Sequence, residues 1–131
     1  MPRARSRRTK KRVPTVGYDP IFSEHDTGEG HPERSERARV LGRWVDAHAE
    51  LHAVTARPAT AEELGRAHAA EYVDEILSLD GGTGRLDADT AIGPRSVQAA
   101  LHAAGLTIDL FAHVAAGGEP GLALVRPPRH H

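Results

Sequence analysis

Apolar positions along the chain alternate between short strand-like runs and longer helical patterns. Val13–Tyr18 is a β-prone stretch, and Asp19-Pro20 closes it because the residue before a proline disfavours helical backbone. Apolar side chains then return at steps of three and four residues over Glu33–Leu51, which predicts a helix. Pro32 stands at its start, where the missing N–H of proline costs no hydrogen bond. A strand followed by a helix is therefore expected first.

The middle of the chain continues this alternation. Val54–Arg57 is a candidate second strand. The segment from Thr60 to Glu63 has the form of a capping box, which predicts a short helix ending near His68. Another helical pattern follows over residues 72–77.

A long helix is predicted between two glycine-rich segments. Asp80–Pro94 predicts a long flexible loop, and Gly117-Gly118 is a helix stop. The final apolar run, Gly121–Val125, predicts a buried strand. One face of the long helix has apolar residues at steps of four and three: Val97, Leu101, Ala104, Ile108 and Phe111. The whole order predicts an α/β protein with a parallel sheet.

The composition fits one modest domain with a core of small aliphatic residues. The chain has 131 residues, of which 39% are hydrophobic, 27% charged and 4% aromatic. It has no cysteine, which excludes disulfides and thiolate metal sites and suits a reducing compartment, so we expect a cytoplasmic protein. His102, Asp109 and His113 interrupt the most apolar segment, so we expect no membrane span and no membrane partner.

Positive charge is concentrated at the N-terminus. Residues 1–12 hold seven of the 17 Lys and Arg residues and no acidic residue, which leaves ten basic and 18 acidic residues elsewhere, a net charge of −8. A block of like charge stays solvated, so residues 1–12 predict a disordered basic tail. The same charge would suit contact with a polyanion such as nucleic acid, which is a second hypothesis for this tail.

One loop carries residue types that bind divalent cations. His25, Asp26 and His31 could supply two imidazoles and a carboxylate to a metal ion. The alternative is ordinary turn chemistry, because residues 26–28 form an Asp-Thr-Gly sequence typical of turns.

A second loop, within Asp80–Pro94, is rich in aspartate. Asp80, Asp87 and Asp89 resemble a calcium-binding loop only loosely, because the glutamate that closes such loops is missing at the required offset. A solvated loop without a metal is therefore the favoured interpretation.

The chain ends on two adjacent histidines, His130 and His131. They follow the last predicted strand and the Arg126-Pro127-Pro128 sequence. Ligands of open α/β sheets bind beyond the carboxyl ends of the strands, so a bent segment there could direct both imidazoles into one cleft. The two histidines are therefore candidate site residues.

Four segments resemble, in order and spacing, those of the zinc-dependent histone deacetylase family. They are HDTGEGHPERSER, RPATAEELGRAHAAEYVDEI, LDADTAIGPRSVQAALHAAG and GLALVRPPRHH. The resemblance covers residues 13–131 and is closest to the acetoin-utilisation and acetylpolyamine-type bacterial members of the arginase–deacetylase superfamily. It implies a three-layer α/β/α fold around a parallel sheet, zinc as the cofactor, and deacetylation of acetyl-lysine or related acylated amines.

The resemblance also implies roles for the two histidines. His131 matches the residue that acts as general base toward the zinc-bound water, and His130 matches the one that stays largely protonated and supports the transition state. Arg129 stands where the family motif has glycine, and glycine permits backbone conformations that a bulky residue resists. The family's zinc ligands follow the tandem histidines, so we expect no metal ligand in these 131 residues.

Further residues match the family's substrate and product channel. Arg37 matches an arginine at an internal channel beneath the site, where acetate leaves. His31 and Pro32 match a loop that shapes the pocket wall and supplies no metal ligand. Asp89, with Asp87 beside it, matches the rim near the incoming substrate.

The sequence thus predicts the N-terminal part of a deacetylase domain over residues 13–131. We expect it to be truncated after the tandem-histidine motif and inactive by itself. The alternative is a non-catalytic pseudoenzyme or binding module that uses its basic tail. Self-association through an exposed sheet edge is also expected, because a central strand that lacks a neighbour templates pairing between chains.

Overall fold

A computed structural model describes residues 12–128 of the chain. The predicted tail, apart from Arg12, lies outside this range, as do Arg129, His130 and His131. Within the range, a 3-10 helix spans Pro20–Ser23. The other elements, in chain order, are β1 (Thr15–Gly17), α1 (Ser35–Ala47), β2 (His52–Val54), α2 (Ala61–Leu64), α3 (Ala70–Ser78), β3 (Gly84–Arg85), β4 (Ala91–Ile92), α4 (Ser96–Ala115) and β5 (Gly121–Ala123).

A parallel sheet of three strands, in the order β2-β1-β5, forms the centre of the fold. Val16 of β1 pairs with Ala53 on one side and with Leu122 on the other. All three residues of β1 are buried because β1 has a strand on each side and α4 packs against it. The parallel sheet with its helices confirms the predicted α/β class.

The core lies between β1, the 3-10 helix, α1 and α4. Phe22 is fully buried, and Leu106 of α4 is 1% exposed beside it. The stripe that α4 buries steps by four, three and four residues: Ala99, Ala103, Leu106 and Leu110. The predicted face coincides with the buried one only in part, since Val97 is 3% exposed whereas Phe111 is 75% exposed.

Small residues let α4 approach the preceding loop closely. The Ala59 N–H donates to the Leu101 carbonyl of α4 at 2.9 Å. A Cβ at Gly105 would overlap the carbonyl oxygen of Arg57 and lie 2.9 Å from the Ala59 nitrogen. Glycine is thus required in the middle of this helix by backbone contact, against its poor helix propensity.

Helix α1 is shorter than predicted. It begins at Ser35 and ends at Ala47, whereas the pattern extended over Glu33–Leu51. The apolar positions of that pattern are largely exposed, with Trp44 at 44%. The residues that α1 buries are smaller ones: Ala38, Gly42 and Val45.

The second strand and the aspartate-rich loop also differ from their predictions. Strand β2 begins at His52 and ends at Val54, earlier than the predicted Val54–Arg57. The segment predicted as a loop over Asp80–Pro94 contains an antiparallel hairpin, in which β3 pairs with β4. Two ladder positions form it, which is too short a run for periodicity to reveal.

Two local signals are confirmed. The Thr60 hydroxyl accepts from the Glu63 N–H at 3.1 Å and the Glu63 carboxylate accepts from the Thr60 N–H at 3.0 Å, which completes the capping box of α2. Gly117 has a φ of +86°, and the Gly118 N–H donates to the His113 carbonyl at 2.9 Å, which ends α4 in a Schellman motif. Arg57 joins these elements through ion pairs with Glu63 and Asp109.

Helix α4 is long and apolar enough, by length and composition, to cross a membrane. It has 20 residues and a mean hydropathy of 1.2 over its most apolar window. A third of that window (33%) is buried within the fold, where α4 packs on β1 and β5. Packing on the sheet therefore accounts for part of the apolar character of this helix, and its hydropathy is that of a candidate span despite His102, Asp109 and His113.

Strand β5 lies at one edge of the sheet. No strand among residues 12–128 pairs with its outer side, and Leu122 is 49% exposed. The prediction of a buried strand is therefore wrong within this range. A groove of about 280 Å³ beside it is lined by Phe111 and Val114 of α4 and by Gly121 and Ala123 of β5.

The close contact at Gly105 predicts that alanine, although it favours helices more than glycine does, lowers the stability of the fold at this position. We expect Gly105→Ala to lower the free energy of unfolding by about 1–3 kcal/mol, because the added methyl group forces the loop away from α4. Urea denaturation measures this. Gly84→Ala is the control, since nothing lies within 4 Å of its Cβ position. A Gly105→Ala chain as stable as the parent would contradict the close contact.

We propose that the β5 edge lets the chain associate with itself. Unpaired backbone groups beside exposed Leu122 favour pairing between copies, and a charge at an edge strand opposes it. Sedimentation velocity over a range of concentrations should show association of the parent chain that Leu122→Lys weakens. Leu86→Lys, at a position of similar exposure (46%) on the hairpin side, should leave association unchanged. A parent chain that stays monomeric at every concentration would refute the proposal.

Candidate functional site

A cleft of about 970 Å³ lies where three chain segments meet. One wall is the loop that follows β1 and the 3-10 helix, from His25 to Glu33. The hairpin segment 85–91 forms a second wall, and Pro127 with Pro128 forms the third. Because β1 and β5 are parallel, the segments that follow them emerge at the same end of the sheet, which is where α/β proteins bind ligands.

A buried arginine anchors the third wall to the first. Arg126 follows β5 and is 4% exposed. Its Nε donates to Oε1 of Glu33 at 2.6 Å and its Nη2 donates to Oε2 at 2.8 Å, a bidentate ion pair. Its Nη1 donates to the carbonyl oxygens of Phe22 at 2.7 Å and His25 at 2.9 Å. Every nitrogen of the guanidinium therefore has an acceptor, as a buried charge requires.

The charge of Arg126 determines the ionisation of Glu33. Burial alone raises the pKa of the Glu33 carboxyl, but the hydrogen bonds and the charge of Arg126 outweigh it, so the pKa lies below its ordinary value. The side chain is 16% exposed. Glu33 is therefore an ionised partner of Arg126 at neutral pH.

A second cavity, of about 60 Å³, lies on the other side of this ion pair. Glu33 and Pro128 line both cavities, whereas Arg37 and Arg126 line the small one. The Arg37 guanidinium lies 3.8 Å from Oε1 of Glu33. Glu33 thus stands between two arginines and between two cavities.

A histidine joins the first wall of the cleft to the second. His25 is 6% exposed, and its Nδ1 lies 2.7 Å from the hydroxyl oxygen of Ser96 at the start of α4. That hydroxyl accepts from the Gly93 N–H at 2.8 Å. Burial lowers the pKa of the His25 imidazole, and the charge of Arg126 lowers it further, so the ring is neutral near pH 7.

Comparison with known proteins identifies the family of this chain. The histone deacetylase domain family matches residues 31–131, which is most of the chain. The chain belongs to the histone deacetylase family. The match includes the arginine-proline-proline segment of the cleft and the two histidines after it.

Individual relatives agree with this assignment. The chain is 38% identical to histone deacetylase 8 of Arabidopsis thaliana over 88% of its own length and 32% of the relative's. It is 39% identical to a histone deacetylase-like amidohydrolase of Pseudomonas aeruginosa, over 78% of its own length and 28% of the relative's. The chain therefore spans about a third of the length of these relatives.

The fold agrees as well. The crystal structure of the HDA15 HD domain superposes with a TM-score of 0.82 at 33% identity, over 91% of this chain and 36% of that one. This similarity establishes that the described sheet and helices form part of an arginase–deacetylase fold.

The structure brings three of the predicted channel residues of this deacetylase-family chain to one cleft. His31, Pro32 and Asp89 all line it, with Asp89 on the hairpin wall opposite the other two. Arg37 lines the small cavity instead. His130 and His131 lie outside the described residues, although Pro128 reaches the cleft. The roles assigned to all of these residues remain predictions.

The contacts of the histidine-rich loop do not support a metal site there. His25 contacts Ser96, Asp26 accepts from the Gly28 N–H at 2.9 Å, and the His31 Nδ1 accepts from the Glu33 N–H at 3.1 Å. Over residues 12–128, no three His, Cys, Asp or Glu residues are placed to hold one ion. This part of the chain therefore does not fit the zinc that the family implies, since zinc needs three or four protein ligands.

The aspartate-rich loop gives the same result for calcium. The Asp89 N–H donates to Asp87 at 2.8 Å, and Asp80 accepts from the amide of Gln98 at 2.6 Å. Asp80 is thus turned toward α4, whereas Asp89 lines the cleft.

Sequence reasoning missed the polar residues that hold the cleft together. Arg126 and Glu33 were not singled out, because a charged residue at the end of a strand or the start of a helix is ordinarily solvated. The available signal was an arginine placed directly after an apolar strand and before two prolines. Ser96 gave no signal, because a serine at the start of a helix is expected to cap the helix.

The ion pair predicts a pH-dependent loss of stability when Glu33 is neutralised. Glu33→Gln leaves a buried guanidinium without its counter-charge, which should cost about 3 kcal/mol at pH 7. Because the folded pKa of Glu33 is lowered, its charge stabilises the fold above its ordinary pKa of about 4.5, and this contribution is lost as the pH falls through the folded value. The difference between parent and variant should therefore shrink below about pH 4.

Urea denaturation at pH 7 and at pH 3.5 measures both effects. The matched control is Glu29→Gln, an exposed glutamate on the same cleft wall, which should change stability little at either pH. Equal effects of the two substitutions at pH 7 would show that the Arg126–Glu33 pair contributes nothing to stability.

Proposed function

We propose that this chain supplies the N-terminal part of a deacetylase domain that hydrolyses the amide bond of acetylated amines, such as acetyl-lysine or an acetylated polyamine. The observation that carries the proposal is the cleft itself. It lies at the ligand-binding end of a parallel sheet, and its lining residues from His31 onward lie within the range that matches the histone deacetylase domain family. The family assignment of its relatives, one of them an amidohydrolase, supports hydrolysis of an amide.

In this proposal the Arg126–Glu33 pair is a positioning contact. It fixes the start of the segment that leads to His130 and His131 against the wall formed by the 25–33 loop. A neutral imidazole accepts a proton near pH 7, which suits His131 as general base. A protonated imidazole stabilises developing negative charge, which suits His130. The zinc of the family would be held by ligands other than residues 12–128.

The small cavity has a proposed role in product release. Arg37 lines it, and a guanidinium suits a carboxylate because it donates two parallel hydrogen bonds. The Nη1 atom of Arg37 lies 3.8 Å from Oε1 of Glu33, so the other nitrogens of this guanidinium are available to acetate. We therefore propose that the cavity is part of the route by which acetate leaves.

A second candidate function is a non-catalytic module that binds a polyanion. Residues 1–12 favour it, because they carry seven basic residues and no acidic one. Such binding would weaken steeply with salt and would disappear when this segment is deleted. Salt-sensitive binding to DNA therefore distinguishes this function from amide hydrolysis.

A chimera tests the deacetylase proposal. Residues 13–131 would replace the matching N-terminal part of the Pseudomonas aeruginosa relative, with and without Arg129→Gly, because the family motif has glycine there. We expect release of acetate from an acetyl-lysine peptide, and His131→Phe should reduce turnover by about 100-fold or more, the contribution of a general base. His52→Phe, at an exposed position on β2, should leave turnover unchanged.

Two results would count against the proposal. One is a correctly folded chimera that releases no acetate in either background. The other is turnover that survives His131→Phe. A chain that instead binds DNA in a salt-sensitive way would favour the polyanion module.

A further inference from the structure

One nitrogen of a buried histidine is left without a partner in the cleft wall. His25 is 6% exposed and is one of the residues that line the cleft. Its Nδ1 contacts the Ser96 hydroxyl at 2.7 Å. Its Nε2 makes no hydrogen bond with residues 12–128, and it is not enclosed, since the fully buried side-chain atom without a hydrogen bond in this range is Oε2 of Glu119. This nitrogen is therefore open to water or to a ligand in the cleft.

The contacts of Ser96 determine which ring nitrogen carries the proton. Ser96 is 5% exposed, and its oxygen already accepts from the Gly93 N–H at 2.8 Å. A buried hydroxyl that accepts one hydrogen bond still needs an acceptor for its own hydrogen. The Nδ1 atom of His25 is in reach, so the hydroxyl donates to Nδ1. The neutral ring therefore carries its proton on Nε2, the nitrogen without a partner.

The charges around His25 keep the ring neutral. Arg126 donates to the His25 carbonyl at 2.9 Å, so its positive charge lies beside the ring. Glu33 and Asp26 oppose this effect, and His31 adds to it, but burial and Arg126 dominate and the pKa of His25 is lowered. A neutral imidazole with Nε2–H is a hydrogen-bond donor. An amide carbonyl oxygen is one acceptor that such a donor binds.

We propose that His25 is a substrate-contacting residue, whose Nε2–H donates a hydrogen bond to an amide carbonyl oxygen of a ligand in the cleft. The choice of an acylated amine as that ligand rests on the proposed function. Ser96 acts through His25 and is a positioning residue, because its hydroxyl fixes both the tautomer and the orientation of the ring. Neither residue was assigned a role by the family resemblance.

The first test is the protonation state and response of His25 in the parent chain. Nitrogen-15 NMR of the histidine rings at pH 7 should show His25 as the Nε2–H tautomer. Titration with N-acetyl-lysine methylamide should shift the His25 Nε2 signal in a saturable way. Acetate, titrated in parallel, should shift it less, because the proposal assigns an amide carbonyl and not a carboxylate. A predominant Nδ1–H tautomer would overturn the proposal.

The second test uses two substitutions at the same position. His25→Leu removes the donor and should weaken binding of the amide probe about five- to tenfold, the loss expected for one hydrogen bond. His25→Gln retains an N–H donor and should lose less. His52→Leu, an exposed histidine away from the cleft, is the matched control. Unchanged affinity in a folded His25→Leu chain would also overturn the proposal.

The outcomes separate this inference from the proposed function. Probe binding needs no turnover, so it is measured in the 131-residue chain, whereas deacetylation is measured in the chimera.

If the probe shifts the amide signals of Thr90 and Ala91 but not the ring signals of His25, the role of His25 is refuted and the deacetylase proposal stands. The absence of any shift in the cleft would also refute it. A responsive His25 in a chain whose chimera releases no acetate would refute the deacetylase proposal alone. If His25→Leu does not fold, the tautomer and titration of the parent decide.

Discussion

The arrangement of the cleft depends on the buried pair between Arg126 and Glu33. Two charges removed from water are costly, and only a bidentate geometry with every donor paired offsets that cost. This pair meets the condition, since Arg126 also satisfies the carbonyls of Phe22 and His25. The His25 carbonyl also accepts from the Ser35 hydroxyl at 2.8 Å, so the segment after β5 joins a shared network of hydrogen bonds at the start of α1. A contact at the exit of β5 thereby holds one wall of the cleft against a loop that lies more than 90 residues earlier in the sequence.

The three walls of the cleft are held by two polar contacts of different character. The ion pair joins the first wall to the third, and the neutral contact of His25 with Ser96 joins the first wall to α4 and the second. The loop from His25 to Glu33 takes part in both. Residues 31–33 of this loop lie within the range that matches the histone deacetylase domain family, and both of the other walls depend on contacts of the loop.

The sequence predicted the order of elements well because that order follows from local periodicity and from local caps such as the Thr60–Glu63 box. It identified the buried face of α4 only in part, since small residues such as Ala103 and Gly105 are buried there and Gly105 meets a loop that is far away in sequence. The burial of Arg126 is likewise a tertiary property, because an arginine after a strand looks the same whether it is solvated or paired. The residues predicted from family resemblance are brought to the cleft, except Arg37 in the adjacent cavity and the two terminal histidines outside the described range.

The register of the sheet has a consequence for how the chain acquires its structure. Thr15 of the central strand pairs with Gly121, more than 100 residues later. The loop-closure entropy of so distant a pairing must be overcome before burial of β1 compensates for it, which makes folding slow relative to helix formation. On the ribosome, β1 and the wall that follows it remain open on one side until β5 emerges. The cleft cannot form before β5 has been made, because Pro127 and Pro128, which form its third wall, follow β5 in the chain.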